Sequence, residues 1–97
     1  MPQVIITPAA QRGLDRCGAF LEENNLEAAK RAAQVIKKHF RLLETMPNSG
    51  KPFPKRPAWN QVVIPFAESG YLALYRYEPS DNAVYILAFR HQKELKW

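Results

Sequence analysis

Three apolar runs decide the fold: Trp59-Asn60-Gln61-Val62-Val63-Ile64-Pro65-Phe66, Tyr71-Leu72-Ala73-Leu74-Tyr75-Arg76-Tyr77 and Ala83-Val84-Tyr85-Ile86-Leu87-Ala88-Phe89. Their Val, Ile, Leu, Tyr and Phe residues suit a pleated, half-buried surface. The connections Ala67-Glu68-Ser69-Gly70 and Glu78-Pro79-Ser80-Asp81-Asn82 are short enough for hairpins, so the runs predict a three-stranded antiparallel meander. Pro65 cannot donate to a ladder and marks an edge position or a bulge in the first run. A four-residue turn at 79–82 sets Arg76 opposite Tyr85, and Tyr71 opposite Arg90 on the other face. Both faces then carry large side chains. One must hold helices, and the other is expected to be covered by a partner or to work as a binding surface.

The helices lie upstream. Thr7-Pro8-Ala9-Ala10 is a helix start: Thr7 can accept from an orphan amide as N-cap, and Pro8 lacks only a donor that would be unpaired there anyway. Ala10, Leu14, Cys17 and Leu21 follow at i, i+4, i+7 and i+11, one helical face that reads as core, with Phe20 beside it. Asn24 and Glu27 have capping-box spacing for a second helix, with Asn24-Asn25 as the break. Ala29, Ala33, Ile36, Phe40 and Leu43 continue the period to about Met46, where Pro47-Asn48-Ser49-Gly50 stops it. The two helices form an antiparallel hairpin, and Ala28, Ala29, Ala32 and Ala33 let its axes approach closely. Val4-Ile5-Ile6 reads as a short strand before it, and the proline-rich segment from Pro47 to Pro57 as a basic loop after it. The predicted class is α+β: an N-terminal strand, a helical hairpin, then the meander.

The 97 residues suit one domain, 1–97, and an 11% aromatic content argues against a disordered chain. A core this small is one layer between helices and sheet, with no room for a large cofactor pocket. Cys17 is the only cysteine, and no Cys/His spacing suits zinc, so neither a disulfide within the chain nor a metal site is expected, and no cofactor. Nothing at the N-terminus resembles a signal peptide or a membrane span, which makes the expected location cytoplasmic, with no membrane partner. Charge is concentrated: between Lys30 and Arg56 eight cations face Glu44 alone, leaving +7 in a chain of net charge +5. Such a patch favours a polyanionic partner, either nucleic acid or an acidic protein segment.

No phosphate loop, nucleophile elbow or pair of adjacent acids is present. Cys17 reads as a small core side chain and His39, beside Lys37, Lys38 and Arg41, as a surface histidine. Two groups remain. At the C-terminal end Arg90, His91, Lys93 and Trp97 place a cation, an imidazole and an aromatic near one sheet end. RNA cleavage through the 2′-hydroxyl would use His91 as base or acid, Arg76 or Arg90 as phosphate clamp and Trp97 as stacking platform. The plain alternative is that Arg90 and His91 cap a strand and Trp97 packs back on the sheet. In the basic segment, Lys51, Lys55 and Arg56 beside Trp59 would dock on nucleic acid or an acidic protein face.

Leu42-Leu43-Glu44-Thr45-Met46-Pro47-Asn48-Ser49-Gly50-Lys51, then Tyr71 to Tyr77 and Val84-Tyr85-Ile86-Leu87-Ala88-Phe89-Arg90-His91, resemble in order and spacing the RelE/ParE superfamily of bacterial type II toxin-antitoxin toxins. The resemblance covers essentially the whole chain and leans toward the ParE-like branch. It implies a small α+β toxin neutralised by an acidic cognate antitoxin that wraps over it, the pair repressing their own operon, so that operator DNA is met only through the antitoxin. ParE-like members resemble inhibitors of DNA gyrase that are not enzymes; RelE-like members resemble ribosome-dependent messenger RNA endonucleases. Only Arg76 and Arg90 are basic within the three strands, and Leu72 follows Tyr71 where many relatives have arginine. That departure favours gyrase as target over the ribosome and mRNA, with His91, Arg76, Arg90 and Trp97 as the catalytic set should the nuclease reading hold. The expected surface for target or antitoxin comprises Lys37, Lys38, Arg41, Lys51, Lys55, Arg56, Trp59, Arg90, Lys93 and Trp97.

Overall fold

The computed structural model describes residues 1–94 and Trp97. Its elements run β1 (Gln3–Ile6), α1 (Pro8–Asn24), α2 (Leu26–Thr45), β2 (Lys51–Phe53), β3 (Arg56–Phe66), β4 (Ser69–Glu78) and β5 (Ala83–His91). The strands form one sheet in the order β1-β5-β4-β3-β2, with β1 parallel to β5 and the other pairs antiparallel. The α+β layout of strand, helical hairpin and meander is therefore present, extended by the short edge strand β2.

Local chemistry accounts for the helix ends. Thr7 caps α1 by accepting from the Ala10 amide, and its hydroxyl donates to the Ile86 carbonyl at 2.7 Å, so one side chain ties the helix start to the sheet. The cap of α2 is Asn25, which accepts from Ala28 N–H at 3.0 Å, and not Asn24, whose side-chain amide turns back to donate to the Phe20 carbonyl. With two asparagines in a row, the one with extended backbone takes the cap.

Both helices pack on one sheet face. Ala10 and Cys17 of α1 and Ala32, Phe40 and Leu43 of α2 join Ile64, Tyr71, Ala73, Tyr75, Val84, Ile86 and Phe89 in a single core. Two expectations about the helical stripes fail. Phe20, off the i, i+4, i+7 series, is 67% exposed; Ala33 is exposed while its neighbour Ala32 is buried. Between α1 and β5 the approach is closest at Gly13, where a Cβ would overlap the Phe89 carbonyl oxygen. The helix backbone thus lies directly on the strand, which only glycine allows.

Two features of the sheet depart from the sequence reading. The segment expected to be only a loop contains β2, a three-residue edge strand that tolerates Pro52 because its outer side needs no partner. Pro65 likewise sits where β3 has run past β2, on a locally open edge. In the second departure, Arg76 does oppose Tyr85, but Tyr71 opposes His91 and not Arg90. Leu74 pairs with Ala88 and Tyr75 with Ile86, so Leu87 is an extra residue, a β-bulge. Val84 and Ile86 point to the helices before it, and Phe89 and His91 after it. The bulge moves His91 to the helix side and Arg90 to the opposite face. On that opposite face Leu72 and Leu74 are only 8% and 3% exposed, flanked across the ladders by Val63 and Arg90 and by Gln61 and Ala88.

The two helical glycines of α1 separate packing from propensity. Gly18 has open space where a Cβ would go. Gly18→Ala is expected to stabilise the chain by about 0.5–1 kcal/mol through helix propensity, and Gly13→Ala to destabilise it by about 1–3 kcal/mol through overpacking against Phe89. Paired urea titrations of the two variants check this; a stabilised Gly13→Ala would refute the close approach.

Candidate functional site

The C-terminal end of the sheet brings together part of the set expected there. His91 lies edge-on to Tyr71, with ring centroids 5.5 Å apart. Its Nδ1 accepts from the Lys93 amide at 3.1 Å, which leaves the proton on Nε2 to be donated to Ser69 Oγ at 3.0 Å. Both ring nitrogens are thus occupied by the protein itself. Glu94 closes the turn: one oxygen accepts from His91 N–H at 3.3 Å, and the other pairs with Arg16 of α1 at 2.9 Å. Arg90, on the other face, donates through Nη1 to the carbonyls of His91, Gln92 and Glu94, and its guanidinium lies 4.8 Å from the Trp97 ring centroid. A cation–π contact and three carbonyls therefore hold His91, Gln92, Glu94 and Trp97 around the Arg90 guanidinium.

Arg76 does not join them. It shares Arg90's sheet face but stands four residues along β4 from Leu72, the register partner of Arg90, about 13 Å at strand rise. It forms a separate group, with its guanidinium 5.7 Å from the Tyr85 ring and its Nε 3.6 Å from Glu78. Tyr85 donates its hydroxyl to Asp81 at 2.9 Å, a bond that raises its pKa because the phenolate would lose it. The structure brings Arg90 to Trp97, and leaves His91 on the opposite face from both Arg76 and Arg90.

The basic residues form two further groups. Lys37, Lys38 and Arg41 are exposed on α2, with Lys37 at the rim of a cleft of about 270 Å³ between the helices. Lys51, Lys55 and Arg56 are exposed on the β2–β3 hairpin. There the Arg56 guanidinium lies 5.0 Å from the Trp59 ring, which stacks on Phe53 at 6.5 Å. The hairpin is rooted in the core by Tyr75, 0% exposed, whose hydroxyl accepts from Gly50 N–H at 2.8 Å. A Cβ at Gly50 would stand 2.7 Å from that hydroxyl, so glycine is required there as well.

Sequence reasoning missed a groove of about 870 Å³ between α1 and the β3–β4 turn, walled by Phe20, Leu21, Phe66 and Tyr71 and rimmed by Arg16 and His91. The available signal was Phe20 itself, a large apolar residue off the core stripe. Ser69 and Glu94, which hold His91, carried no signal, because their partners are set by the bulge. Cys17 borders this groove, and burial followed by the Glu94 carboxylate pushes its thiol up to about 11.

A family model described as ParE toxin of type II toxin-antitoxin system, parDE, matches residues 4–96. The chain belongs to the ParE toxin family. Its family membership implies a cognate antitoxin as partner of this toxin. A comparison with curated proteins yields no significant match. Among the described residues of the toxin, no helix is long and apolar enough to cross a membrane.

Two predictions follow from buried groups of the toxin. A thiol whose folded pKa lies near 11 against an ordinary 9 contributes stability that is complete below pH 9 and lost as pH rises through 11. Urea stability is expected to hold to about pH 9, then fall by up to about 1.4 kcal/mol per pH unit from this one group, a contribution that Cys17→Ala removes. Tyr75→Phe leaves the Gly50 amide without its partner and is expected to cost about 1–3 kcal/mol, with faster amide exchange at Gly50; unchanged exchange would mean the hydroxyl does not hold the hairpin root.

Proposed function

We propose that residues 1–97 act as a single toxin domain that inhibits DNA gyrase without being an enzyme, in the cytoplasm, and is held inactive by an acidic cognate antitoxin. Beside membership of the ParE toxin family, the observation that carries this reading is the disposition of His91. A ribonuclease base must present a free nitrogen toward a 2′-hydroxyl, with a cation beside it for the phosphate. Here both nitrogens are bonded to Ser69 and Lys93, and Arg76 and Arg90 lie across the sheet. His91 serves to brace the strand end, and Arg90 to hold Trp97. The +7 segment from Lys30 to Arg56 suits an acidic antitoxin, with operator DNA reached only through that partner.

The test is induction of the toxin alone in a bacterial cell with thymidine and methionine incorporation followed in parallel. Thymidine incorporation is expected to fall first, and His91→Ala to remain toxic if it folds. An earlier fall in methionine incorporation, abolished by His91→Ala, would replace this reading with a ribosome-dependent endonuclease acting on mRNA. Antitoxin affinity is expected to weaken as salt rises, since exposed charges are screened beyond about 8–10 Å at physiological ionic strength; titration calorimetry at two salt concentrations measures it.

A further inference from the structure

Helix α1 runs alongside β5 and outlasts it. Thr7 bonds to the Ile86 carbonyl, Gly13 rests on the Phe89 carbonyl, and Arg16 reaches Glu94, past the strand's last residue His91. Phe20 stands two turns on from Gly13, and so on nearly the same helix face. The face that seats α1 on the sheet therefore continues about 10 Å beyond Gly13, to a point where β5 has ended. There Phe20 meets the open groove of about 870 Å³ whose far wall is Phe66 and Tyr71, themselves stacked with ring centroids 6.2 Å apart. A phenylalanine that is 67% exposed thus stands as a knob directly beside an apolar recess. No residue from Lys30 to Arg56, the segment of charge +7, lines that recess. Its rim is balanced, with Arg16 and Lys93 against Glu68 and Glu94. Along α1 the charges are ordered: Arg12 and Arg16 are exposed before Phe20 and Glu23 after it, all on its side of the helix.

We propose that this groove is a two-fold interface for a second copy of the toxin, in which the Phe20 of each chain enters the recess of the other and the two α1 helices cross antiparallel at Phe20. Three observations select that occupant. A knob beside its own hole is self-complementary, the condition for an isologous contact, and one rotation seats both rings. An antiparallel crossing at Phe20 sets Arg16, one turn before it, against Glu23 of the second copy, one turn after it, and the two-fold axis repeats the pair. A parallel crossing would oppose like charges. The balanced rim, finally, lets two chains of net charge +5 meet without bringing their +7 segments into the contact. An acidic segment finds no surplus of cations here, since Arg16 is already paired with Glu94, and Glu23 and Glu68 are exposed nearby. The expected antitoxin residues of α2 and the β2–β3 hairpin lie outside the groove, and the pairing does not rest on gyrase as target.

Sedimentation equilibrium of the full toxin over a concentration series tests the proposal, with the variants Phe20→Ser and Glu23→Arg and with Met46→Ser as a control at an exposed apolar residue outside the groove. Circular dichroism confirms that each variant folds. The mass is expected to rise from one chain to two. Phe20→Ser is expected to weaken the dimer about tenfold or more, as truncation of a central aromatic anchor does. Glu23→Arg, which opposes Arg16 with a second cation, is expected to weaken it several-fold, and Met46→Ser to leave it unchanged. A single chain at every concentration would overturn the proposal. Equal weakening by Phe20→Ser and Met46→Ser would also overturn it, by reducing the contact to general apolar adhesion, and so would a dimer indifferent to Glu23→Arg, by removing the antiparallel crossing. A toxin that never pairs, and whose Phe20→Ser variant instead loses antitoxin affinity, would give the groove to the antitoxin.

Discussion

The hydroxyl of Tyr75 is the point on which this molecule's two halves meet. Its ring is fully buried in the middle of the central strand, among the residues that the helices cover, yet its oxygen receives the Gly50 amide at the root of the β2–β3 hairpin. A buried phenol without a partner is costly, and a buried backbone amide without one is as well; here each satisfies the other. Burial raises the Tyr75 pKa, while the bond received from the Gly50 amide works against that shift. The glycine at 50 exists for this contact. A basic edge hairpin is thereby fastened to a fully buried residue of the core.

A single extra residue has a comparable reach. Leu87, inserted in β5 opposite the Leu74–Tyr75 step, reverses which side chains of the last strand face the helices. Everything at the C-terminal end follows: His91 turns in toward Tyr71 and Ser69, Arg90 turns out toward Trp97, and Glu94 bridges back to Arg16 on α1. The same residues in an unbulged strand would present Arg90 beside Tyr71 and leave His91 outward.

Much of the architecture was legible because it rests on periodicity and on caps. The helical hairpin, the N-terminal strand and the meander follow from apolar spacing, Thr7, Pro8 and the turn residues between strands. Contacts that depend on tertiary register were not legible. Nothing local distinguishes Leu87 as a bulge, so the faces of Arg90 and His91 were misplaced. Gly13 reads locally as a weakness in a helix, although its role is set by a carbonyl far along the chain. For the candidate site, the basic residues and Trp59 could be named from composition, but their place on an edge hairpin could not, because β2 is a strand only through its pairing with β3.

The parallel pairing of β1 with β5 has a consequence for the birth of the molecule. Thr7 bonds to Ile86 across 79 positions, and β1 has no other neighbour in the sheet. During translation, β1 and both helices leave the ribosome long before the strand that receives them exists. The surface on which α1 rests at Gly13 is also β5. The seat of β1 and of α1 at Gly13 is therefore completed only once β5 has been made, which places the closing contacts of the fold at the end of synthesis.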